Sequence, residues 1–298
     1  MHRYPIFVIS KGRWKNCLTC KEFLRFGVDF RVVVEPQEYD FYKMYVPEEY
    51  ILRAPENFSM RKQGGIPVRN FVWNYSKKLG VARHWVLDDN IRHFYFFFKG
   101  VKFNVDPEVA FRLVEDFADR YENIKMTGMN YSVFVASDMD IPLFLNTHVY
   151  SVILLSNDLD LSWRGRYNED TDLNLQVLSK GYCLVSFNIV SAGKIATLTM
   201  KGGNTDTIYI KNGRLKMARE LERRWPGIVR VIRRFRRTQH FVDWSRFDEN
   251  KPIRRKDLDW NKIKKYRYHL EMIKVKKDIK KLDSELEDLY KSFNLLYN

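Results

Sequence analysis

The sequence predicts an α/β fold, a mostly parallel sheet flanked by helices, on three observations. Short runs rich in Val, Ile and Phe alternate with helical stretches from the start: Pro5 to Ile9, a helix over Leu18 to Phe26, then Phe30 to Val34. A strand, a crossover helix and another strand make a parallel pair, with functional loops at the carboxyl ends of the strands. Apolar residues form 45% of the chain and aromatic residues 15%, enough for a substantial core and too much for wholesale disorder. Finally, the buried-looking run Trp85-Val86-Leu87 ends in two adjacent acids, Asp88 and Asp89, followed by Asn90.

The elements follow in order. Gly27 stops the first helix, Ser10-Lys11-Gly12-Arg13 is a donor-rich turn after the first strand, and Glu35-Pro36 closes the second. Tyr50 to Arg53 is a third short strand. Gly64-Gly65 precedes a helix with Val68, Val72, Tyr75 and Leu79 on one face and Gly80 at its end. Such glycines let backbone amides approach an anion, or form a plain loop; Arg69 and Asn70 in the first turn face a ligand or the solvent. Ile91 to Phe98 reads as a strand continuing the sheet after a bend at the acids. Asp106-Pro107 caps a helix reaching Tyr121. Lys125 to Gly128, Val133 to Ala136, His148 to Leu155 and Tyr182 to Phe187 read as further strands. A helix led by Glu169, Asp170 and Asp172 stops at Gly181, and a long helix runs to Trp225.

Two neighbouring carboxylates repel, so burying Asp88 and Asp89 calls for a counter-charge, which a divalent cation supplies through oxygen ligands. The same three residues also suit a solvated turn. Acids at a helix start are favoured by its dipole, but three within four residues exceed what capping needs. The net charge of +15 is uneven: residues 211–298 hold 26 Lys and Arg against 13 Asp and Glu, leaving +2 on residues 1–210. Arg230, Arg233, Arg234, Arg236 and Arg237 crowd eight residues, a density that favours phosphate contact over a merely solvated face. Three cysteines make no disulfide framework; Cys17 and Cys20 have redox-motif spacing but read as ordinary buried or capping residues in a reducing, cytoplasmic setting. No apolar stretch approaches a membrane span, and no signal peptide is expected. Met272, Val275, Ile279, Leu282, Leu286, Leu289, Phe293 and Leu296 form a heptad seam suited to a partner helix, possible self-association or packing on the core. The expected division is therefore 1–247, an enzyme-like domain, and 248–298, a basic helical extension.

An acid pair ending a central strand, with a second acid cluster opening a later helix, suggests a GT-A-like, Rossmann-type nucleotide-sugar transferase. A metal at Asp88, Asp89 or Asn90 neutralises a departing diphosphate, and Asp170, then Glu169 or Asp172, takes the acceptor's proton. The sequence also resembles the phage glycosyltransferases associated with ten-eleven-translocation dioxygenases. The resemblance rests on Phe7 to Arg13, Gly65 to Asn70, Leu87 to Ile91, Asn168 to Leu173, Met200 to Thr205 and Gln239-His240. It implies a uridine-diphosphate (UDP) sugar donor, manganese or magnesium, and 5-hydroxymethylcytosine in DNA as acceptor. By position, Ser10 to Arg13 and Glu35 then hold the nucleotide, Asp88 to Asn90 form the Asp-x-Asp-type element with Asn in its third place, and Asp170 is the base. His240 is a late metal or diphosphate ligand. If the chain is phage-encoded, its setting is the host cytoplasm. The rival readings are transfer to a glycan, lipid or protein, and a catalytically silent DNA-binding scaffold.

Overall fold

The computed structural model of the chain describes residues 1–98, 100–139, 141–195, 213–234, 237–260 and 263. The chain opens with β1 (Ile6–Ile9), α1 (Leu18–Phe26), β2 (Arg31–Val34), a short α2 (Tyr39–Lys43), β3 (Ile51–Arg53) and α3 (Ile66–Lys78). Then come β4 (Arg83–Asp88), β5 (Ile91–Phe98), β6 (Val101–Val105), α4 (Pro107–Ala118), β7 (Ile124–Tyr131), β8 (Leu143–Leu145) and β9 (Val152–Ser156). α5 (Glu169–Ser179), β10 (Cys183–Lys194), α6 (Gly213–Arg224) and the hairpin β11 (Val229–Arg234) and β12 (Arg237–Val242) follow. The helix ends obey local chemistry. Gly27 closes α1 at φ +68°, where a Cβ is disfavoured, and the Asp106 carboxylate accepts from the Glu108 amide at 2.9 Å ahead of Pro107.

The main sheet runs β3-β2-β1-β4-β9-β7-β10-β5-β6, with β8 also on β10. β3, β2, β1 and β4 are mutually parallel, β9 runs against both β4 and β7, and β7 and β10 are parallel again. One edge of the sheet therefore gathers the carboxyl ends of β1, β2, β4, β7 and β10 and the start of β9. Val8, Trp85, Leu87 and Leu154 pack on α1 and α4 through Phe23, Phe111 and Val114. Ile153, Leu155 and Leu184 pack the other face against Leu173, Val177 and Trp163. At Gly128 a Cβ would lie 2.1 Å from the Val152 carbonyl, so β7 and β9 approach this closely only with glycine there.

β5 does join the sheet, as expected, and its antiparallel partners there are β10 and β6. Several other expectations change. Residues 133–136 make no strand; Ser132–Phe134 is a 3-10 turn. The strand expected from His148 starts only at Val152, since Ser151 sits at φ +58°, incompatible with a regular ladder. β10 continues seven residues past Phe187. Leu79, placed on the buried face of α3, is 49% exposed. Cys17 and Cys20 are buried and Cys17 caps α1, as expected, but their sulphurs are also paired as a disulfide. Past residue 247 the chain still packs on the core: Asn123 holds Lys251 and Ile253 by its side-chain amide, and Trp260 lies against Tyr121. The heptad seam, Arg236 and the Met200 to Thr205 segment lie outside the described residues.

Candidate active site

At the carboxyl edge, Asp88 is the hub. β4 delivers it opposite Ile9 of β1, and Ser151, just before β9, donates to its Oδ2 at 2.7 Å. Lys194, the last residue of β10, donates to the same oxygen at 2.8 Å and to Ser151 Oγ at 2.6 Å. Arg69, from the first turn of α3, donates to Oδ1 at 2.9 Å. Burial opposes ionisation of Asp88, but Lys194 and Arg69 outweigh it and hold the carboxyl below the usual range.

Arg69 also reaches the second acid cluster. Its Nη1 is 3.8 Å from Asp170 Oδ1 and its Nε 4.0 Å from Glu169 Oε1, while its guanidinium stacks over Trp163 at 4.7 Å. The two acid groups, 82 positions apart at Asp88 and Asp170, thus meet on one arginine. Asp170 Oδ1 and Arg69 Nη1 face each other beyond hydrogen-bond reach, buried, and neither has a hydrogen-bond partner among the described residues. Burial pushes the Asp170 carboxyl up to about 7; Arg69 pulls it down, and Glu169 and Asp88 push it further up. A carboxylate near neutrality with one free oxygen is suited to accept a proton from a hydroxyl.

Residues 4–203, about two thirds of the chain, match the family described as TET-Associated Glycosyltransferase. The chain belongs to that family. A search of curated proteins found no match. The matched span carries Asp88, Arg69, Asp170 and Lys194 and ends before the hairpin, so His240 and the arginine cluster lie outside it.

The remaining expected residues of this glycosyltransferase divide. Asp89 turns away from Asp88, as neighbours on a strand do. Its Oδ2 accepts from Ser10 at 2.8 Å, its Oδ1 pairs with Arg13, and its carbonyl accepts from the Leu18 and Thr19 amides that open α1. Burial pushes the Asp89 carboxyl up, partly offset by Arg13 and Ser10. Glu35 accepts from the Ser59 amide at 3.1 Å and from Gln37 at 2.7 Å, and Lys11 donates to Ser59 Oγ. The Gly12 amide donates to Glu38 at 2.8 Å. These groups form one continuous wall from the β1 turn to the β2 end. Gly65 starts α3, where a Cβ would sit 3.7 Å from Arg69 Nε. Asn70 faces elsewhere: its amide exchanges hydrogen bonds with the Trp163 backbone at 2.8 and 3.0 Å, fixing the loop that supports Arg69.

Asp172 is not in this cluster. It is fully buried and accepts from Arg164 at 2.8 Å, Trp225 Nε1 at 2.8 Å, Gln176 at 2.8 Å and Arg224 at 3.4 Å, tying α5 to α6. His240 lies on β12 opposite Val231, its ring's pKa lowered by burial, with no hydrogen bond or ion pair to Asp88, Asp89 or Asn90 among the described residues. As placed, the expected metal ligands do not form a chelate. Both Asp88 oxygens accept from cations, Asp89 diverges, and no group of three or more His, Cys, Asp or Glu is placed to hold a metal ion among the described residues. Asn90 Oδ1 is buried with no hydrogen-bond partner among the described residues.

Sequence reasoning missed Lys194 and Ser151. Lys194 lies beyond the strand end assigned at Phe187, and Ser151 inside a run read as regular strand; neither carries a local signal. Arg230, Arg233, Arg234 and Arg237 are exposed on the hairpin, with Arg234 opposite Arg237 at its turn. A cavity of about 760 Å³ lies at the opposite edge of the sheet, lined by Tyr4, Arg83, Asp119, Lys125 and Arg255 among others. Its Asp119 is already paired with Arg83 and Arg3 and its Asp158 with Lys125, and it is remote from the cluster on Arg69. Among the described residues no helix is long and apolar enough to cross a membrane.

Proposed function

We propose that this glycosyltransferase moves a sugar from a UDP-sugar to the hydroxyl of 5-hydroxymethylcytosine in DNA. The observation that carries the reading is the Asp170 carboxyl, whose Oδ1 makes no hydrogen bond among the described residues and lies 3.8 Å from Arg69, across it from Asp88. Asp170 takes the acceptor hydroxyl's proton as that oxygen bonds to the anomeric carbon, and the bond from that carbon to the diphosphate breaks. Arg69 and Lys194 are the cations placed to meet the charge on the departing diphosphate. The manganese or magnesium ion implied by the resemblance would have to displace both from Asp88. The wall from Ser10 to Arg13 and Glu35 is the candidate nucleotide side.

The DNA acceptor is supported by the charge asymmetry of the chain and by the exposed arginines of the hairpin. The test is to treat hydroxymethylated DNA with the protein and a panel of UDP-sugars and weigh the released nucleosides. A hexose added to 5-hydroxymethylcytosine supports the reading. Sugar transferred only to glycan or protein acceptors, or to none, overturns it.

A further inference from the structure

Four aromatic rings run outward from the acid cluster. Tyr131, at the end of β7, donates to or accepts from Ser151 Oγ at 2.7 Å, and Lys194 Nζ lies 5.1 Å over its ring. Tyr150 Oη lies 3.2 Å from Thr171 Oγ1, one residue from Asp170, and its ring centre is 6.5 Å from that of Tyr131. His148 stacks on Tyr150 at 4.9 Å and 21°, and Phe134, in the turn after β7, tilts against Tyr131 at 5.7 Å. Phe134 is 56% exposed and its neighbour Val133 73%, so folding alone gives no reason for large apolar groups at this rim. Tyr150, in the middle of the row, reaches the acid cluster through Thr171, the residue after Asp170.

We propose that His148, Tyr150, Tyr131 and Phe134 form the acceptor platform, a stacking surface for the pyrimidine ring that carries the hydroxyl. The inference rests on the DNA reading above and deepens it. A hydroxyl one carbon off a pyrimidine cannot reach a largely buried carboxylate unless the ring itself enters the site. In a duplex that ring is stacked between its neighbours, with only its edge in the major groove. It must therefore leave the helix, and a row of aromatic faces replaces the stacking it loses. Stacking is indifferent to base identity, so selection of the modified base falls to Asp170 and Thr171, the polar groups beside Tyr150. A pyranose also packs on aromatic faces, which makes the donor sugar the competing occupant.

Phe134→Ala and His148→Ala in the full-length protein test this, with KM for hydroxymethylated duplex DNA, KM for the UDP-sugar and kcat measured separately. The expected result is a rise of about tenfold in the DNA KM, the size of one base-to-aromatic stack, with the donor KM and kcat within about twofold. Phe134 is exposed, so its replacement leaves the core intact. A raised donor KM with unchanged DNA KM assigns the rings to the sugar and overturns the platform, as does no change in either. These outcomes require a wild-type protein that transfers to DNA. A wild type that does not do so overturns the reading beneath, and the platform falls with it.

Discussion

Asp170 is an acid held against its preference. Its folded value of about 7 stands well above the 3.8 of an unperturbed carboxyl, with burial the leading cause. The stabilising contribution of such a raised group is complete below the unfolded value and is lost as pH rises through about 7. Asp170→Asn is therefore expected to melt with the wild type near pH 4 and above it at pH 8, by roughly 2–4 °C for each kcal/mol relieved; coincident melting at pH 8 counts against the assignment. Because the proposed base works as its carboxylate, the rate of transfer should climb with pH through about 7. Lys194 pulls the Asp170 value down, so Lys194→Met should move that limb to higher pH as well as slow turnover. A pH profile that keeps its midpoint while the rate drops would assign Lys194 to diphosphate charge alone. Asp172 is the contrasting acid: its carboxylate is consumed by Arg164, Arg224, Trp225 and Gln176, so Asp172→Ala strands charge and weakens the α5–α6 contact. Breaking a buried pair costs about 3–5 kcal/mol, and the low end applies because Arg164 is 45% exposed. Urea unfolding reads this directly, and a loss under about 1 kcal/mol would show the hub to be dispensable.

At the scale of elements, local chemistry marked what local chemistry determines. The bounds of α1 were legible because Gly27 supplies the left-handed cap, and α4 because Asp106 and Pro107 supply the start. Glu169 and Asp170 at the head of α5 were legible as an excess of acids over what a cap needs. Residues 133–136 were not, since a β-rich composition is compatible with an exposed turn when no partner strand is available. The reach of β10 was not legible either. Its later half leaves β8 and pairs with β5 instead, and only that long-range exchange carries Lys194 to Asp88. The basic run proved to be a hairpin, which gathers Arg234 and Arg237 at its turn. Replacing Arg233, Arg234 and Arg237 together should weaken DNA binding and flatten its salt dependence by about 0.9 in log–log slope per lost phosphate contact. UDP binding by the same variant should be unaltered; a full-strength gel shift at 150 mM salt, on the order of physiological ionic strength, would remove the hairpin from the DNA interface.

Across the whole molecule, the sheet does the gathering. Parallel strands put the ends of β1, β2, β4, β7 and β10 on one edge, and the starts of α3 and α5 bring Arg69 and Asp170 over it. The sequence indicated that edge and both acid groups, and the family match over residues 4–203 covers all of them. It did not indicate that Arg69 touches both groups or that Lys194 joins it on Asp88, because they reach Asp88 from positions 19 and 106 residues away. The central claim is that Asp170, and not its buried neighbour Asp172, removes the acceptor's proton. The most direct measurement is the single-turnover rate of sugar transfer to hydroxymethylated DNA, by nucleoside mass, for Asp170→Asn beside Asp172→Asn at matched folded fraction. The prediction is a loss of about 10²–10⁴-fold for Asp170→Asn, with Asp172→Asn within about tenfold of wild type once folded. Transfer by Asp170→Asn at the wild-type rate would contradict it.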